Sequence, residues 1–137
     1  MEGKHIFALM DLDNFKEIND TFGHQCGDRV LKDVADTLRK KIRRDDIIGR
    51  LGGDEFVFML LNVQEFSSVE NIFKELGEEL NKTYQKDGKA VTISASFGIA
   101  IAPEQGSIFQ ELYRKSDQVL YEVKRTRKNG YRLYDGQ

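Results

Sequence analysis

The sequence is short of several things. It has one cysteine, one proline and almost no net charge, −2 over 137 residues. A lone cysteine, Cys26, cannot close an internal disulfide, which fits a reducing compartment. A near-neutral chain lacks the basic surface of a general nucleic-acid or anionic-membrane binder. No apolar run approaches the roughly 20 residues of a membrane helix, and the opening Met1-Glu2-Gly3-Lys4-His5 is not a secretory signal. These absences point to a soluble cytoplasmic domain, or to a domain of a longer chain. What is present is ordinary globular material: 39% hydrophobic and 32% charged residues. The length suits one domain with a core that needs no disulfides.

Periodicity divides the chain. His5 to Asp11 is a short apolar run, read as a buried strand ending on an acid. Asp13 or Asn14 would cap a short helix through Phe15, Ile18 and Phe22, stopped by Gly23. Val30, Leu31, Val34, Leu38 and Ile42 recur at helical spacing, which predicts a helix over about 25–43. Ile47–Leu51 and Glu55–Asn62 read as strands joined by Gly52-Gly53-Asp54, a hairpin. Phe66 to Leu80 is amphipathic, 86–89 a loop, and Val91 to Ile101 a long half-buried strand. A last helix holds Ile108, Leu112, Val119, Leu120 and Val123, and 131–134 a final strand. The order β-α-α-β-β-α-β-α-β is the split βαβ pattern of ferredoxin-like α/β (α+β) folds with extra helices.

Asp11, Asp54 and Glu55 stand out chemically. In such a sheet the first strand and the hairpin are neighbours, so the three acids would cluster. Clustered carboxylates repel unless a cation lies between them, and Mg²⁺ takes hard oxygen ligands together with substrate phosphates. Read alone, Gly-Gly-Asp is a turn and the acids are solvated. Asp13 reads as a helix cap rather than a ligand. Three further groups are ambiguous on pattern alone. Asn19 and Asp28 suit a guanine edge or a polar surface. Arg43 and Asp46 form an Arg-x-x-Asp turn or a plain helix end. Lys124 and Lys128, four apart, would share one helix face, to hold a triphosphate or face solvent.

Together, "DLDNFKEINDTFGHQCGDRVL", "RLGGDEF", "ISASFGIA" and "SDQVLYEVKRTRKNG" resemble, in order, the motifs of the GGDEF family, the diguanylate cyclases. The resemblance covers nearly the whole chain, 1–137, as one domain. It implies a nucleotidyl-cyclase, polymerase-palm-like fold and condensation of two GTP into cyclic di-GMP with release of two pyrophosphates. Asp11, Asp54 and Glu55, with the Leu12 carbonyl, would bind two Mg²⁺ (Mn²⁺ is the alternative ion). Asp54 and Glu55 would be catalytic, Asp54 helping to deprotonate the 3′-hydroxyl. Asn19 and Asp28 would read guanine, with His24 lining the pocket. Phe15, Lys16, Lys124 and Lys128 would surround the phosphates, and Gly52 and Gly53 would clear space for the nucleotide. Arg43 and Asp46 fall at the family's product-inhibition site.

By the same resemblance, retention of Asp28 implies a preference for guanine, since family members that also use ATP tend to lose this acid. The partners implied are GTP, the cyclic di-GMP product, a second copy for catalysis and a sensor domain, with neither nucleic acid nor membrane insertion. The sequence departs from the family where Arg127-Lys128 replaces Gly-Arg, and it begins after the usual D-x-L-T-x-L-x-N-R segment. A catalytically weak domain that senses cyclic di-GMP or GTP is the alternative reading.

Overall fold

A computed structural model describes residues 3–126 and 128–135. Strand β1 spans Lys4–Asp13, followed by helices α1 (Phe15–Phe22) and α2 (His24–Lys41). Strands β2 (Ile47–Gly52) and β3 (Glu55–Val63) form the expected hairpin, and α3 is Glu70–Glu79. Then come β4 (Lys82–Lys86), β5 (Lys89–Ala102), α4 (Phe109–Thr126) and β6 (Tyr131–Leu133). The sheet runs β2-β3-β1-β5-β4 with antiparallel neighbours, and β6 pairs parallel with β5. This is the mixed α+β architecture expected, a central sheet flanked by helices.

The structure adds one strand that the sequence pattern does not mark and amends one local reading. The segment 82–86 is a strand, hairpinned to β5 through Asp87-Gly88, both at positive φ. Its sequence, KTYQK, is too polar to show apolar alternation, and it holds its place by ladder bonds on an edge. Asp13 is not a helix cap: β1 continues through it, and α1 begins after a left-handed Asn14 with no side-chain cap.

The pleat of β1 sorts its residues onto two faces. Ile6, Ala8, Met10 and Leu12 point into the main core with Phe56, Phe58, Leu60, Phe97 and Ile99. Helices α1, α2 and α3 cover that face with Ile18, Val34, Leu38, Phe73 and Leu76. Phe73 stacks on Phe58 at 5.7 Å and meets Phe97 edge-on at 5.5 Å. The alternate residues Phe7, Leu9, Asp11 and Asp13 share the other face, paired with Ala100, Gly98, Ser96 and Ser94 of β5. Helix α4 packs there, its Leu112 joining Phe7, Ala100 and Ala102 in a second cluster. One face of β1 is therefore greasy throughout, while the other turns from apolar to acidic toward its end.

Gly98 sets the distance between α4 and the sheet. A Cβ there would stand 2.0 Å from the Ser116 carbonyl oxygen and 2.7 Å from the Leu120 nitrogen. Both are backbone atoms and cannot swing away. Gly98→Ala is therefore expected to cost about 3 kcal/mol in urea denaturation. Gly77→Ala, in α3 with nothing within 4 Å of the added carbon, should instead gain about 0.5–1 kcal/mol.

Candidate active site

The acids meet as strand pairing requires. Asp11 lies opposite Glu55 in the β1–β3 ladder. The Leu12 N–H donates to the Asp54 carbonyl at 3.4 Å, tying the hairpin tip to β1. Gly52 and Gly53 have φ of 145° and 50°, values that favour glycine, and the space beside both is open. Phe56 is fully in the core, so the acids are carried on a tip whose next residue is clamped.

Electrostatics makes this corner unstable without a cation. Burial and the charge of Asp11 push Asp54 up from 3.8 to about 6. Glu55 is also raised, first by burial, although it accepts a hydrogen bond from the Tyr113 hydroxyl at 3.2 Å. Lys124 supplies the compensating charge, its Nζ 2.9 Å from Asp11 Oδ2 and 3.5 Å from Asp13 Oδ1. Burial works against the Lys124 charge, yet the bonds to these carboxylates outweigh it and raise its pKa above the usual lysine value. Asp11 Oδ1 is buried with no hydrogen-bond partner among the described residues.

An orphaned carboxylate oxygen beside a second strained carboxylate fits a divalent cation. Among the described residues no group of three or more His, Cys, Asp or Glu side chains is arranged to hold a metal by itself. Mg²⁺ does not require one, because it is often held by one or two carboxylates plus water and substrate phosphates.

The other expected residues are dispersed around this centre. Phe15 is buried in the core, while Lys16 and His24 are exposed on α1 and at the start of α2. Asn19 is half-buried, and a Cβ on Gly27 would lie 1.9 Å from its Oδ1, so glycine lets the amide sit against α2. Asp28 is exposed and lines a cleft of about 450 Å³ between α2 and β2, along with Lys32, Arg39, Arg50 and Phe56. Asn19 does not line that cleft.

Lys128 does not share a helix face with Lys124. Helix α4 stops at Thr126, and Lys128 adopts a left-handed φ of 52° with its N–H on the Val123 carbonyl. Its neighbour Arg127, also singled out in the sequence, lies outside the described residues. Arg43 and Asp46 do come together. The Asp46 carboxylate accepts from the Arg43 and Leu61 backbone N–H groups at 2.9 Å each. The Arg43 guanidinium reaches both Asp46 and the Leu61 carbonyl. The turn is thus closed on itself and pinned to β3, beside a groove of about 270 Å³.

Sequence reasoning missed Tyr113, Ser94, Ser96 and the true place of Asp13. A signal was available: Asp11 and Asp13 are two apart on a strand, and Ser94 and Ser96 alternate with Ile93, Ala95 and Phe97.

A palm-like sheet with acids on its central strand and on an adjoining glycine hairpin defines a nucleotidyl-cyclase type of domain. Comparison with known proteins narrows this. Residues 2–130 match the family model "Diguanylate cyclase, GGDEF domain", and the chain belongs to that family. It is 40% identical over 127 residues to the bifunctional diguanylate cyclase/cyclic di-GMP phosphodiesterase MucR of Pseudomonas aeruginosa, covering 93% of this chain and 18% of MucR. The GGDEF domain of YfiN (TpbB) from the same organism superposes with a TM-score of 0.88 at 32% identity, covering 98% of this chain and 84% of that one. The GGDEF domain of DgcB from Caulobacter crescentus, solved in complex with c-di-GMP, gives 0.85 at 27% identity, with 96% and 78% covered. The chain spans less than half the length of the curated relatives it matches.

The raised Asp54 makes a prediction about stability. An ionised Asp54 disfavours the folded state, so its cost is absent below its unfolded pKa of 3.8 and fully present above about 6. In metal-free protein Asp54→Asn should match the wild type near pH 3.5–4. It should then become more stable by about 1 kcal/mol as pH rises past 6, a figure reduced for solvent screening. Urea midpoints across that range check it.

Proposed function

We propose that this domain is a diguanylate cyclase that joins two GTP into cyclic di-GMP. The observation that carries the reading is the orphaned Asp11 oxygen beside the strained Asp54 on an open glycine hairpin. The family's conversion of GTP to c-di-GMP supports it. In the proposed reaction the 3′-hydroxyl oxygen of each GTP attacks the α-phosphorus of the other, in two such steps that release two pyrophosphates. The bond to pyrophosphate breaks, and the hydroxyl proton passes to Asp54. Asp11, Asp54, Glu55 and the Leu12 carbonyl would hold divalent metal, which supplies charge neutralisation and activates the hydroxyl. Two Mg²⁺ per site is the proposed stoichiometry.

Around that centre, Asn19 and Asp28 read the guanine edge and His24 borders it. The Phe15 backbone, Lys16, Lys124 and Lys128 contact the triphosphate, and Gly52 and Gly53 let it approach the hairpin. Each ring closure needs both nucleotides, so two domains face one another, brought together in the cell by a sensor domain on a longer cytoplasmic chain. The described part contains no helix long and apolar enough to cross a membrane. Arg43 and Asp46 would bind product and slow the enzyme.

A covalently tethered dimer incubated with GTP and Mg²⁺ should yield cyclic di-GMP and pyrophosphate. GTP bound without product would sink the catalytic reading and leave a nucleotide-binding regulatory module. Asp54→Asn should lower turnover by at least about a hundredfold, with the fold intact by circular dichroism. Arg43→Ala should keep initial turnover and raise the product concentration needed for half-inhibition by about tenfold, the loss of one charge-assisted bond; an unchanged inhibition curve removes that site from the proposal.

A further inference from the structure

Asp13 is the one acidic residue among the buried polar residues described, which are Asp13, Ser96 and Ser116. A buried charge persists only when it is paired and hydrogen-bonded. Asp13 meets both conditions. Its oxygens accept from Ser94 Oγ at 2.7 Å, Ser96 Oγ at 2.9 Å and the Asn129 N–H at 3.1 Å. The fourth partner is Lys124, at 3.5 Å. None of the steps above uses Asp13.

Lys124 is held by two carboxylates with different duties. Asp11 is partly exposed, has an unpartnered oxygen and adjoins Asp54. Asp13 is sealed in and saturated. A divalent cation taking the unpartnered Asp11 Oδ1 draws charge from the carboxylate whose Oδ2 holds the Lys124 ammonium, and so weakens that hold. If Asp11 were its only partner, Lys124 would be released to solvent at the moment its charge is wanted. Asp13 prevents that, being too well bonded to move. It also fixes the Asn129 N–H, and with it the left-handed turn that carries Lys128 past the end of α4.

We propose that Asp13 is a positioning residue: it retains the Lys124 ammonium at the site when Asp11 turns to metal, so that Lys124 meets the substrate triphosphate. The role rests on the cyclase reading. It acts through Lys124 and touches neither nucleotide nor metal.

A double-mutant cycle separates this role from plain structural support. The readout is the affinity for 3′-deoxy-GTP with Mg²⁺ by titration calorimetry, a ligand without the attacking hydroxyl. Asp13→Asn should weaken binding about tenfold, and Lys124→Met by at least as much. Their combination should bind no more weakly than Lys124→Met alone. Additive losses would overturn the proposal, because support of the fold would be lost equally in both backgrounds. Unchanged affinity in Asp13→Asn overturns it as well. Should Asp13→Asn fail to fold, Asp13→Thr keeps an oxygen for the Asn129 N–H, removes the charge and occupies the same corner of the cycle. A wild type that binds no 3′-deoxy-GTP and makes no product defeats the cyclase reading and this one together. Tight wild-type binding with additive losses defeats this one alone.

Discussion

The ammonium of Lys124 is the charge around which the site is arranged. Asp11 and Asp54 share a half-buried corner, and burial together with mutual repulsion lifts Asp54 to about 6. Asp13 adds a third carboxylate two residues along the same strand face. Among the described residues, Lys124 alone forms ion pairs with both Asp11 and Asp13. Its position is set by α4, which lies hard against β5 because Gly98 has no side chain. A helix displaced by the width of one methyl group would withdraw the ammonium from Asp11 and Asp13 together.

This explains why the two faces of one strand look so different. β1 gives its even-numbered residues to a core of phenylalanines and aliphatics. Its odd-numbered residues pass from Phe7 and Leu9 to Asp11 and Asp13. The apolar face fixes the register, since a one-residue slip would drive Ile6, Ala8, Met10 and Leu12 out of the core. The same constraint places the acids. Hydrophobic packing thus does for the site what a loop could not, because the carboxylates inherit the rigidity of a central strand.

Much of this was legible beforehand. The apolar runs at 5–11 and 91–101, the helical spacing at 30–42 and the glycine hairpin gave the architecture. The resemblance of the motifs gave the family. Failures occurred where long-range contacts override local habit. KTYQK shows no apolar alternation that would mark it, and it is a strand because β5 lies beside it. Asp13, placed before a helix, has the look of a cap, yet its partners are 81, 83 and 116 positions away. Lys124 and Lys128 have helical spacing, but the helix stops between them. Arg43 and Asp46 were paired correctly in sequence, although nothing local told that Leu61 would close the turn from the neighbouring strand.

The span of those contacts bears on how the domain is made. Asp11 and Asp13 leave the ribosome more than a hundred residues before Lys124 and Asn129. Until α4 docks, the nascent sheet carries its acids without their counter-ion. Assembly of the acidic corner is therefore deferred to α4, and a chain stalled before it would have most of the sheet without the Lys124 counter-ion.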